Sequence, residues 1–136
     1  MFFLESRDIM ANQGEHSVLL VDDELGVLKV LRLFLELAGY RVFEASNAEQ
    51  AFEVIGREEL SLAILDVSLR GPSGFDICKR LKSDPATRGI PVFMFTAMSD
   101  DDEVLEGERV GCDRYLTKPQ NPQDIVNLAD EYLRAG

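Results

Sequence analysis

Strand-like runs and helical patterns take turns along this chain, five of each, and that rhythm limits the folds open to it more than any single residue. The runs are SVLLV (17–21), YRVFEA (40–45), LSLAIL (60–65), IPVFMF (90–95) and DRYL (113–116). The first does not alternate apolar with polar residues, so it reads as a strand buried on both faces. After it, Leu28, Leu31 and Leu35 with Val27 and Phe34 form a helical stripe that Gly39 stops. Asn47 caps a second helix, with Gln50 three residues on and Ala48, Ala51, Phe52 and Ile55 along one face. Phe75, Cys78 and Leu81 mark a third, which ends near Pro85 because proline disfavours helical geometry in the residue before it. Ser99 is the expected cap of a fourth, whose acidic first turn from Asp100 to Glu103 complements the helix dipole. Asn121 and Pro122 open a fifth, carrying Ile125, Leu128 and Tyr132. Such alternation implies an α/β fold with right-handed crossovers and a five-stranded parallel sheet covered on both faces.

A chain of 136 residues suits one domain that needs no disulfide or metal staple. The expected division is an N-terminal extension at 1–15 and a single domain at 16–136. Asp and Glu outnumber Lys and Arg by 25 to 14, and the net charge of −11 argues against direct contact with nucleic-acid phosphates. The apolar runs are far too short to span a membrane and MFFLESRDIM is too short for a signal peptide, so a cytoplasmic protein without a membrane partner is expected. Cys78 and Cys112 lack a CxxC spacing or a nearby His, which supports neither a disulfide framework nor a zinc site. Both are expected to pack as small buried thiols.

Parallel sheets of this kind hold ligands at the carboxyl ends of their strands, beside the switch point in strand order. The polar residues of this chain fall there. Asp22 and Asp23 end the first strand, Asp66 the third and Thr96 the fourth, and Lys118 follows the fifth. Adjacent carboxylates repel and lose hydration near a core, so they call for a cation or a raised pKa. Oxygen ligands in this number suit a hard cation such as Mg²⁺, which prefers carboxylates and a phosphate oxygen. Asp66 stands alone, followed by the glycine-bearing loop VSLRGPSG, and is the candidate nucleophile toward phosphorus. Lys118 would offer a point charge and Thr96 a rotatable hydroxyl to the same phosphoryl group. Taken singly, Asp22 and Asp23 serve equally well as a helix cap, Asp66 as a turn residue and Lys118 as a solvated lysine.

Together, VDDE, ILDVSLRGPSG, FTA and YLTKP resemble, in order and spacing, the motifs of the receiver domain of two-component response regulators, over about residues 17–134. The resemblance implies a flavodoxin-like (βα)5 sandwich with strand order 2-1-3-4-5. It implies that Asp23 binds Mg²⁺ directly, that Asp22 does so largely through water, and that the backbone carbonyl of Ser68 is a further ligand. Asp66 would accept a phosphoryl group from a histidine kinase or histidine phosphotransfer protein. Thr96 and Lys118 would sense that group, and Tyr115 would swing inward when Thr96 moves. The output would be a changed surface on the fourth helix, fifth strand and fifth helix, offered to a downstream protein partner. The resemblance also implies a cis Lys118–Pro119 bond, and no enzymatic turnover beyond Mg²⁺-dependent self-phosphorylation and dephosphorylation. The chain departs from the family pattern at Leu69 and Arg70, where a Met-Pro pair is common, and has its proline at Pro72. Ser68 and Met98, near the phosphate, should influence how fast water removes it.

Other functions compete. A phosphatase working through an aspartyl-phosphate would need an acid two residues beyond the nucleophile, where Ser68 stands. A flavin binder is disfavoured because DDELG would repel an anionic phosphate. A receiver belonging to a larger hybrid kinase is compatible with every motif. The acidic run from 100 to 108 reads as a solvated helix face, and His16 has no assigned role.

Overall fold

The computed structural model describes residues 16–134, so the extension expected at 1–15 lies outside the described residues. The chain runs β1 (Ser17–Val21), α1 (Leu25–Leu37), β2 (Arg41–Ala45), α2 (Ala48–Arg57), β3 (Leu62–Leu65), α3 (Gly74–Ser83), β4 (Val92–Thr96), α4 (Asp101–Arg109), β5 (Arg114–Thr117) and α5 (Pro122–Leu133). The strands form one sheet in the order β2-β1-β3-β4-β5, and every pairing is parallel. The expected flavodoxin-like architecture is therefore present.

Successive side chains on a strand point to opposite faces, so each strand feeds two cores. Leu19, Val21, Ala63, Leu65, Val92 and Met94 meet α2 and α3 through Ala51, Val54, Ile77 and Leu81. Val18, Leu20, Leu62, Ile64, Phe93 and Phe95 meet α1 and α5 through Leu28, Leu31, Leu35, Ile125 and Val126. This double demand explains why β1, β3 and β4 are apolar without alternation.

Element boundaries shift by one or two residues from expectation. β3 begins at Leu62, just after Ser61, whose N–H donates to the Ser17 carbonyl at 2.7 Å and whose hydroxyl replaces a backbone carbonyl as acceptor for the Ser17 N–H at 3.1 Å. β4 begins at Val92, after Pro91, which has no N–H for the ladder. Asp113 lies outside β5, and its carboxylate accepts from the Val92 N–H at 2.7 Å.

The caps differ in detail. Asp100, not Ser99, caps α4, its carboxylate accepting from the Glu103 N–H at 2.9 Å; the acidic turn starts one residue later than expected. Asn47 caps α2 as expected, but the Gln50 side chain reaches back to the Ser46 N–H at 2.8 Å rather than to Asn47. Gly39 follows α1 with φ +97°, a left-handed conformation that glycine adopts without strain. On α5 the fully buried residues are Ile125, Val126 and Ala129, while Tyr132 lies at the surface with its ring edge on Phe93. Cys78 is buried, whereas Cys112 is only half-buried. Burial raises both thiols, to about 12 and about 11, so neither is a ready thiolate.

Candidate functional site

Three backbone hydrogen bonds continue the ladder beyond the strand ends and set the rim. Asp22 N–H donates to Ala45 at 3.1 Å, Asp66 N–H to Val21 at 2.8 Å and Lys118 N–H to Thr96 at 2.8 Å. Because the strands are parallel, residues distant in the chain reach the same end of the sheet. Asp22, Asp66 and Thr96 are buried there, and Asp23 is exposed at the mouth.

Lys118 enters this cluster as its counter-charge. Its Nζ lies 2.8 Å from Asp22 Oδ2, 3.0 Å from Glu24 Oε1 and 3.3 Å from Asp66 Oδ2. It also sits 5.6 Å from the centroid of the Phe95 ring. The remaining oxygens are tied to backbone: Asp22 Oδ1 accepts from the Glu24 N–H at 2.9 Å, and Asp66 Oδ1 from the Ser68 N–H at 3.1 Å. Burial raises the Asp22 pKa; the hydrogen bonds from Lys118 and Glu24 pull the other way, and Asp66 adds to the rise. Burial alone would lower the Lys118 pKa, but its bonds to Asp22 and Glu24 and the charges of Asp22 and Asp66 outweigh it and raise it. Carboxylate oxygens of Asp22, Asp23 and Asp66 all lie within 4.8 Å of one another, a set of hard donors that could hold a metal ion.

Thr96 closes the rim on the β4 side, where its Oγ1 accepts from the Met98 N–H at 3.2 Å. Tyr115 on β5 is half-buried, and its hydroxyl donates to the Met98 carbonyl. Burial, then Glu103 and Asp100, push its pKa up to about 12, so the phenol stays protonated and remains a donor. The Lys118–Pro119 bond is cis, as expected.

Asp22, Asp66 and Lys118 thus meet directly, Asp23 joins them at the mouth, Ser68 touches Asp66 through its N–H, and Thr96 and Tyr115 converge on Met98 instead. Two contributors had no expected role. Glu24 is a third carboxylate on Lys118, and its one signal in the sequence is that it prolongs the acidic pair. Gly74 lets α3 start against Asp66, since a Cβ there would stand 2.3 Å from the Asp66 carbonyl oxygen. The second of the two loop glycines is therefore a close-approach residue.

A parallel sheet with an acidic, lysine-bearing rim at its carboxyl end defines an α/β protein of the flavodoxin-like class with a possible cation site. A profile of the response regulator receiver domain matches residues 18–130, so the chain belongs to that family of two-component signal transduction proteins. It is 40% identical over 118 residues to the phosphate regulon transcriptional regulatory protein PhoB of Pseudomonas aeruginosa, covering 87% of this chain and 52% of that protein. It is 38% identical over 119 residues to the transcriptional regulatory protein YvrH of Bacillus subtilis, covering 87% and 49%. The chain thus spans about half the length of these curated relatives. Among solved structures, a CheY-like receiver domain protein from Methanospirillum hungatei superposes with a TM-score of 0.82 at 27% identity, covering 87% of this chain and 93% of that one. Receiver domains bind Mg²⁺ at an acidic cluster, and the carboxylates of Asp22, Asp23 and Asp66 provide such a set. No helix among the described residues is long and apolar enough to cross a membrane.

Proposed function

We propose that this domain is a phosphorylation-dependent switch in a two-component phosphorelay, with Asp66 as the acceptor. The carrying observation is the convergence of Asp22, Asp66 and Lys118 within 3.3 Å contacts at one buried rim. The donor is the phosphohistidine of a histidine kinase or histidine phosphotransfer protein. A carboxylate oxygen of Asp66 attacks phosphorus, the bond from phosphorus to the donor imidazole breaks, and its electron pair returns to the imidazole. Mg²⁺ held by Asp22, Asp23, Asp66 and the Ser68 carbonyl would neutralise charge among the carboxylates and on the phosphoryl group. Lys118 exchanges its Asp66 contact for a phosphoryl oxygen and holds it as a point charge. The Thr96 hydroxyl turns to the same group. An open groove of about 520 Å³ between α1 and the β5–α5 loop, lined by Val27, Val30, Phe95, Pro119 and Pro122, offers apolar room for the donor protein beside the acids.

Movement of Thr96 reaches Tyr115 through Met98, and the α4–β5–α5 surface shifts between two populated forms that a downstream protein partner distinguishes. The site acts on its own phosphoryl group without catalytic turnover of a free substrate, because Ser68 stands where a phosphatase would place its acid. A cytoplasmic setting, with neither nucleic acid nor membrane as a direct partner, completes the reading. The test is intact-mass analysis after incubation with Mg²⁺ and a small acyl-phosphate donor. One phosphoryl group should be added to the wild type and none to Asp66→Asn. Absence of the adduct from the wild type would remove the reading, and steady turnover of an aryl phosphate would replace it with a phosphatase.

A further inference from the structure

Gly107 is the one fully buried residue of α4, and its backbone is ordinary right-handed helix. Glycine inside a helix is disfavoured relative to alanine, so a reason for it must lie in what packs against it. The neighbour is Tyr115. A Cβ at position 107 would stand 2.8 Å from Tyr115 Cδ2, 3.1 Å from Cε2 and 3.2 Å from Cys112 Sγ. The first distance is shorter than real Cβ contacts, so the ring or the helix would have to move. At the tip of the ring, the Tyr115 hydroxyl donates to the Met98 carbonyl, while the Met98 N–H donates to Thr96 Oγ1 at 3.2 Å. Met98 therefore joins the two hydroxyls, through its N–H and its carbonyl, while one edge of the Tyr115 ring meets Gly107.

We propose that Gly107 is a positioning residue for the switch. Its missing side chain allows the Cδ2–Cε2 edge of Tyr115 to pack directly on α4 while the hydroxyl reaches Met98, so that Thr96, the Tyr115 ring and α4 move as one unit. The consequence for signalling rests on the switch reading above, but the packing claim stands apart from it.

The test uses Gly107→Ala and Tyr115→Ala, alone and together, with thermal melts, and 3-fluorotyrosine labelling followed by ¹⁹F NMR. The Tyr115 resonance is assigned by its loss in Tyr115→Phe. Gly107→Ala should lower Tm while Tyr115 is present and lower it by less than half as much, or raise it, in the Tyr115→Ala background, where only the milder contact with Cys112 Sγ at 3.2 Å still opposes the helical preference of alanine. In Gly107→Ala the Tyr115 resonance should be displaced before phosphorylation and should lose at least half of its phosphorylation-dependent shift. The extent of Asp66 phosphorylation should stay at the wild-type level, because residue 107 does not touch the acids. A Tm loss of equal size in both backgrounds, or an unmoved Tyr115 resonance, overturns the proposal. Should Gly107→Ala not fold, restored folding in the double variant supports it and continued failure overturns it. A wild type that takes no phosphoryl group sinks the switch reading alone, and the melts still decide the role of Gly107.

Discussion

Every residue of β1 and of β3 is buried, α1 buries three residues and α3 four, whereas α4 buries Gly107 alone and no residue of β5 is fully buried. The acids Asp22 and Asp66 stand on the first side; Tyr115 and the acidic run of α4 stand on the second. Local opening becomes less costly as fewer apolar contacts hold a segment, so α4 and β5 can be repositioned at a cost that β1 and β3 cannot match. The same domain thus keeps its acidic cluster on a fixed frame and Tyr115 on a loosely held one. Charge follows the division as well. On the fixed side each buried carboxylate is balanced by Lys118 or a backbone N–H, while the carboxylates of α4 face water, where Glu106 pairs with Arg109 at the surface.

The sharpest way to break this contrast is to remove the counter-charge of the fixed side. Lys118→Met leaves Asp22 and Asp66 buried without their ammonium, and loss of one partner of a buried ion pair costs about 3 kcal/mol. Urea unfolding without Mg²⁺ should show that loss, and its partial recovery when Mg²⁺ is added. A cost near that of a surface substitution would mean that the rim is solvated and that the two sides do not differ. Asp22→Asn should act in the opposite direction. The folded-state pKa of Asp22 is raised above its unfolded value, so its ionised form disfavours the fold at neutral pH and that penalty fades as pH falls through the folded pKa. Without Mg²⁺ the variant should therefore melt higher than the wild type at pH 7, with the gap closing on acidification; a gap that widens would reverse the assignment. The smallest effect belongs to the loose side. Leu105 on α4 is 60% exposed, and Leu105→Ala should change stability by less than about 0.5 kcal/mol. A larger loss in the same urea titration would show that α4 is anchored after all.

Much of the fold was legible because burial on both faces leaves a local mark. LLV, LAIL and VFMF have no polar alternation, and α1 repeats leucine at Leu28, Leu31 and Leu35. Boundaries were less legible where two neighbours could do the same job. Ser99 and Asp100 are both good caps, and the choice fell on the one whose carboxylate meets the Glu103 N–H. Asp22, Asp23, Asp66, Thr96 and Lys118 stood out because charged or polar groups directly after apolar strands are unusual. Glu24 did not, since an exposed glutamate at a helix start has many uses. Gly107 left no sign either, because nothing in DDEVLEGER indicates that a tyrosine from β5 will pack against it.

The order of residues settled the kind of each element, the faces it must bury and the end of the sheet at which the acids emerge, since all of these follow from hydrophobic period and strand direction. It could not settle which side chains touch. The 2.8 Å contact of Lys118 with Asp22, across 96 residues, arises from the lateral order of strands and the register of their pairing. The packing of Tyr115 on Gly107 likewise exists because β5 and α4 meet at one depth, a distance that no local pattern encodes.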